Sequence, residues 1–127
     1  MSTVFSEPIN LGDLVKYEEP TQAYSRDIVL MAPNQVLAMG TVVATVSATK
    51  MMTALAPAAT DGSQNACGIL LYGVDTTQPG SHEAIVLSRE SVVSAAHVVW
   101  PAGITANEKE LATAQLKALG SLIRQGA

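Results

Sequence analysis

From Ile28 to Val74 the chain carries only two charged side chains, Lys50 and Asp61, where an average stretch at about 25% charged residues would place roughly a dozen. No other feature narrows the fold as much. Such a segment cannot coat itself with charge, and a chain of 127 residues has too much surface to hide all of it in one core. Charge depletion is a property of the buried centre of subunit interfaces. The segment is therefore expected to form a sheet core whose outer side is partly covered by another copy of the chain or by a tightly docked partner.

Its residues read as strands. SRDIVLMAP and VLAMGTVVATVS, rich in Val, Ile, Leu and Thr and separated by Pro33-Asn34-Gln35, predict two of them. KMMTALAP predicts a third and GILLYGVD a fourth, with a turn in TDGSQN between them. EAIVLSRESVVSAAHVVW predicts one long strand or two consecutive ones, ending at Trp100. The C-terminal stretch changes period. Thr105 followed by Glu108 is a capping box, which starts a helix at Ala106. Leu111, Ala112, Leu116, Leu119 and Ile123 fall on one stripe, with Glu110, Thr113, Lys117 and Arg124 opposite. Closely spaced strands followed by one terminal helix predict an α+β, β-dominated domain rather than an alternating parallel sheet.

Residues 1–24 differ from the rest. Pro8, Gly12 and Pro20 interrupt them and no sustained period runs through them, so they predict an extended arm on a β-rich domain of residues 25–127. Three of the five aromatics, Phe5, Tyr17 and Tyr24, lie in this arm. Together with Ile9, Leu11, Leu14 and Val15 they are too apolar for a solvating tail, and they point to an arm laid along another surface.

Catalytic patterns are missing from the sequence. The two histidines have no ligand-spaced partner: His82 reads as a loop residue and His97 as a structural residue on a strand. Ser63 and Ser91 match no nucleophile elbow, and the glycines form no phosphate loop. Cys67 is the sole cysteine and reads as a small buried hydrophobe, which excludes an intramolecular disulfide. A net charge of −4 with no basic patch predicts no nucleic-acid partner. No apolar run of membrane-spanning length and no signal segment are seen, so a cytosolic chain without a membrane partner is expected. Neither a cofactor nor a metal is expected. One alternative attaches to Ala48-Thr49-Lys50-Met51-Met52, which is similar to the Ala-Met-Lys-Met turn of biotinyl and lipoyl carrier domains, with Lys50 as acceptor. Thr49 and Ser47 depart from that pattern, and the terminal helix has no counterpart there. The plainer reading is a strand lysine reaching into solvent.

Trp100-Pro101-Ala102-Gly103-Ile104-Thr105 and the short helix after it resemble the end of the lambdoid phage head decoration proteins, the family of lambda protein D. Tyr17-Glu18-Glu19-Pro20 with Tyr24-Ser25-Arg26 resembles that family's aromatic-Glu-Glu-Pro and Tyr-Ser-Arg blocks. Ala38-Met39-Gly40-Thr41-Val42, Pro57 to Ser63, Gly68 to Leu71 and Val74-Asp75 are similar to further blocks in the same order. Departures are the spacer Thr21-Gln22-Ala23, Tyr17 in place of tryptophan, and the tail from Ser121 to Ala127. The resemblance implies a small β-clip or β-tulip-like domain and a homotrimer on the outer surface of the virion capsid. It also implies binding at threefold and quasi-threefold sites, on the major capsid protein of a tailed double-stranded DNA phage, after synthesis in the host cytoplasm. Under it, Val4, Phe5, Ile9, Leu11, Leu14 and Tyr17 are the expected capsid-binding residues, and Trp100 and Pro101 a structural corner.

Overall fold

A computed structural model describes residues 14–18 and 25–125. Five strands close into a barrel in the order β2-β5-β4-β6-β8: β2 (Arg26–Met31), β4 (Val42–Thr45), β5 (Met52–Ala54), β6 (Ala66–Leu70) and β8 (His82–Leu87). A short pair, β3 (Val36–Leu37) with β7 (Val74–Asp75), stands beside the barrel. A three-stranded sheet contains β1 (Val15–Glu18), β9 (Ser91–Ser94) and β10 (Ser121–Arg124), with β9 in the centre. The helix α1 (Ala106–Ala118) packs on β6 and β10.

Side chains alternate across a strand, and here both faces of the barrel strands are used. Met31, Val43, Met52, Leu70, Ala84 and Val86, drawn from all five barrel strands, fill the interior. Their neighbours Val42, Ala44, Ile69 and Leu87 point outward into a second core, which α1 and the three-stranded sheet cover with Leu14, Val93, Ala112 and Leu116. The charge-poor stretch is thus buried on two sides over much of β4 and β6, which explains its near-continuous apolar run.

Several expected elements divide. The second expected strand breaks at Gly40, whose φ is 94°; a Cβ there would sit 2.2 Å from the His97 carbonyl oxygen. That close approach lets Val99 N–H donate to Gly40 O at 2.8 Å and places Val99 beside Thr41 in a parallel bridge. The long final strand splits at Arg89-Glu90, where Glu90 has a φ of 54°. It then ends at Ser94, and His97 lies in a 3-10 turn (Ala95–His97) rather than on a strand.

The C-terminus corrects the sequence reading further. The capping box forms: Glu108 N–H donates to Thr105 Oγ1 at 3.1 Å, and Thr105 N–H to Glu108 Oε1 at 2.9 Å. The helix stops at Ala118, and Gly120 takes a φ of 100°, the left-handed glycine that ends helices. Beyond it Ile123 belongs to β10, parallel to β9, so β9, α1 and β10 make one β-α-β crossover. Leu111 and Leu119 are exposed, leaving Ala112 and Leu116 as the buried part of the expected stripe.

Candidate functional site

The expected arm residues fall in two groups. Val4, Phe5, Ile9 and Leu11 lie outside the described residues. Leu14 is fully buried among the residues of the outer core, and Tyr17 is half exposed on β1, cross-strand from Val92. The division at residue 24 therefore runs past a strand that already belongs to the domain's own sheet. The physical reason is Leu14, an apolar side chain with a core to enter at the point where the chain meets β9.

A polar cluster ties β1 to β2. Glu18 accepts from Arg26 Nε at 2.7 Å and Nη2 at 2.9 Å, and from Ser25 Oγ at 2.6 Å. The two-pronged guanidinium bond holds the Glu18 carboxyl below the usual carboxylate range. Arg89 does the same for Asp27 from the end of β8, at 2.7 Å. In the sequence Glu18, Ser25 and Arg26 stand only in separate family blocks; their contact, which ties β1 to β2, appears only in three dimensions.

The surface left by the charge-poor stretch is apolar. On β2, Val29 and Met31 point into the barrel while Ile28 and Leu30 point out, 71% and 42% exposed. Tyr72 lies half exposed and interacts with Arg26. A groove of about 280 Å³ opens elsewhere, lined by Val36, Leu37, Ala54, Val99, Trp100 and Pro101 among others. Trp100 is partly buried against the outer core rather than sealed inside it. Pro101 O accepts from Ile104 N–H at 3.3 Å, in a turn completed by Gly103 at a φ of 78°.

The other singled-out residues stay scattered. Lys50 is exposed on the turn between β4 and β5 with a φ of 63°, donating its N–H to Val46 O at 2.8 Å, so it is a turn lysine and not a strand one. Cys67 is half-buried on β6, 3.4 Å from Thr45 Oγ1. His82 begins β8 and contacts Gln78 O through Nε2. Ser63 closes a turn on Asp61, whose carboxylate accepts its N–H and hydroxyl and is held low by them. Among the described residues no group of three or more His, Cys, Asp or Glu could hold a metal ion, and no helix is long and apolar enough to cross a membrane.

What unites these surfaces is decided by comparison. The model of the family described as bacteriophage lambda head decoration protein D matches residues 4–121, nearly the whole chain. The chain belongs to that family. Its coarse function is accordingly capsid decoration on the phage head. The match takes in the N-terminal residues 4–13 as well as the barrel, and ends at the first residue of β10. No individual curated protein matches the chain. Family membership also bears on Lys50: its turn position suits a carrier domain, but the match through residues 4–121 joins it to a decoration domain instead.

Proposed function

We propose that this protein is a structural cement: homotrimers seat on the outside of the expanded phage head at its threefold and quasi-threefold sites, grip the major capsid protein, and hold the lattice against packaged DNA. The observation that carries this reading is the family match from residue 4, which makes the apolar N-terminal residues part of the decoration protein. The exposed apolar surface on an otherwise well-packed domain supports association between copies. No catalytic step is part of the proposal, nor a cofactor or nucleic-acid contact.

The arm is the proposed capsid contact, through Val4, Phe5, Ile9 and Leu11, with Tyr17 at its root. Burying each of those four aliphatic or aromatic side chains is worth about 1.5 to 3 kcal/mol, against about 1 to 2 kcal/mol for ordering each backbone residue. One arm is then marginal unless it also gains hydrogen bonds by adding to a sheet edge. Three arms on one body raise the effective concentration of the second and third once the first has docked. Selective binding to the expanded lattice stabilises that lattice by mass action.

The test is co-sedimentation with undecorated expanded heads, beside unexpanded procapsids. The full chain is expected to pellet with expanded heads only. A chain lacking residues 2–13, which keeps Leu14 and β1, should stay folded and remain in the supernatant. Full-chain protein that pellets with neither form would overturn the capsid reading; undiminished binding by the shortened chain would overturn the arm's part in it.

A further inference from the structure

Asp61-Gly62 is the only Asp-Gly or Asn-Gly pair in the chain. In such a pair the glycine amide nitrogen can turn onto the aspartate carboxyl carbon. An N–Cγ bond forms, the carboxyl hydroxyl leaves with the amide proton as water, and a five-membered succinimide results. Water then adds back and opens the ring at one of its two carbonyls. Opening at the main-chain carbonyl routes the backbone through the side chain, giving isoaspartate, which is one methylene longer along the chain and unchanged in mass. A side chain on the following residue slows ring closure by crowding it, and glycine has none.

This turn cannot accept a bulkier residue. Gly62 has a φ of 105°, and a Cβ on it would lie 2.4 Å from Ser47 Oγ and 2.7 Å from Thr45 O. The turn lies against the end of β4, where Ser47 N–H donates to Asp61 O at 2.8 Å. The fold therefore dictates glycine after Asp61, and Asp61 itself is exposed to water.

Protection comes instead from the two residues that follow, which hold both reacting groups. Ser63, only 3% exposed, donates its N–H at 3.1 Å and its hydroxyl at 2.5 Å to Asp61 Oδ1. These bonds aim the carboxyl at residue 63 and favour the carboxylate over the neutral acid. Ring closure runs through the acid, because a carboxylate has no hydroxyl to lose as water. Gly62 N–H donates to Gln64 Oε1 at 2.8 Å, a bond its nitrogen must give up before it can turn onto Cγ. Ser63 is itself pinned, since its carbonyl accepts from Ala56 N–H at 2.8 Å.

We propose that Asp61 is a site of isoaspartate formation in this chain, and that its hydrogen bonds to Ser63 and that of Gly62 to Gln64 suppress the reaction in the folded state, so that it proceeds only when the turn opens locally. The longer backbone of the product would lift Gly62 from Thr45 and Ser47 and loosen the turn from the end of β4. A chain assembled on a phage head outside a cell is not replaced by synthesis, so the rate of this step sets how long the turn keeps its native backbone. The chemistry is the same whatever surface the domain docks on.

The test ages the full chain in warm, mildly acidic buffer, folded and in urea, beside Ser63→Ala and Gln64→Ala. IsoAsp in the Asp61 peptide is scored by chromatographic separation of the isomers after digestion, and by methyl transfer from a protein isoaspartyl methyltransferase. The folded parent is expected to form it about a hundredfold more slowly than the parent in urea, and each variant, when folded, about tenfold faster than the folded parent. All three chains should age at nearly one rate in urea, and melting curves should show both variants folded at the ageing temperature, which separates loss of the turn's contacts from global unfolding. A folded parent that ages as fast as the parent in urea would overturn the suppression, as would folded variants that age at the parent's rate. No product at Asp61 even in urea would overturn the site. Should a variant fail to fold, the comparison of the parent in its two states still decides.

Discussion

The Glu18 carboxylate joins β1 to β2 through Arg26, and its environment makes the consequence of losing it calculable in sign. Its side chain is 9% exposed and Arg26's 18%, so solvent screens the pair only partly. With the folded carboxyl held below its unfolded value of about 4.3, the stabilisation is complete above that pH and is lost as pH falls through the folded value. Glu18→Gln should therefore lower stability by about 1 to 2 kcal/mol at pH 7. The gap between variant and parent should narrow below about pH 4, as read from paired thermal melts. Gly40 is a second position where a substitution is costly. Gly40→Ala meets the His97 carbonyl and a positive φ at once, and it should cost about 2 to 4 kcal/mol, measured by denaturant unfolding.

At the level of elements, α1 has one working face and it is narrower than its sequence implies. Leu116 is fully buried against the barrel and Leu111 is 59% exposed. Leu116→Ala should cost about 2 to 5 kcal/mol, whereas Leu111→Ala should stay within about 0.5 kcal/mol of the parent. Equal effects would mean the helix is turned differently on the sheet. The corner before the helix behaves between these limits. Since Trp100 is partly buried and lines an open groove, Trp100→Ala should cost about 2 to 3 kcal/mol, below the range for a sealed aromatic. β10 adds a parallel partner to β9 and a buried contact between Ser91 and Ser121, whose hydroxyls lie 3.2 Å apart.

For the whole molecule, the boundary between arm and domain decides what truncation does. The outer core begins at Leu14, so removal of residues 2–13 spares every described core residue. Removal of residues 2–16 takes away Leu14 and half of β1, and should lower stability by at least the ~2 to 5 kcal/mol of a large-to-small core change. Differential scanning calorimetry of the two truncations distinguishes a boundary at residue 13 from one further along.

Local signals were legible wherever one or two residues carry the physics. Thr105 and Glu108 start the helix in sequence and in structure alike, because a capping box is complete within one turn. Gly120 marks the helix end by the same local logic, although helical spacing from Leu119 to Ile123 pointed past it. The charge-poor stretch and the ordered family blocks determined a β-rich decoration domain. What pairs over long separations was decided only by the tertiary structure. The meeting of Glu18 with Arg26, the burial of Leu14, and the exposure of Ile28 beside a half-buried Val29 depend on which surface each side chain finds opposite. Period-2 alternation tells which residues share a face of β2, but whether another element covers that face is set by where α1 and the three-stranded sheet come to rest.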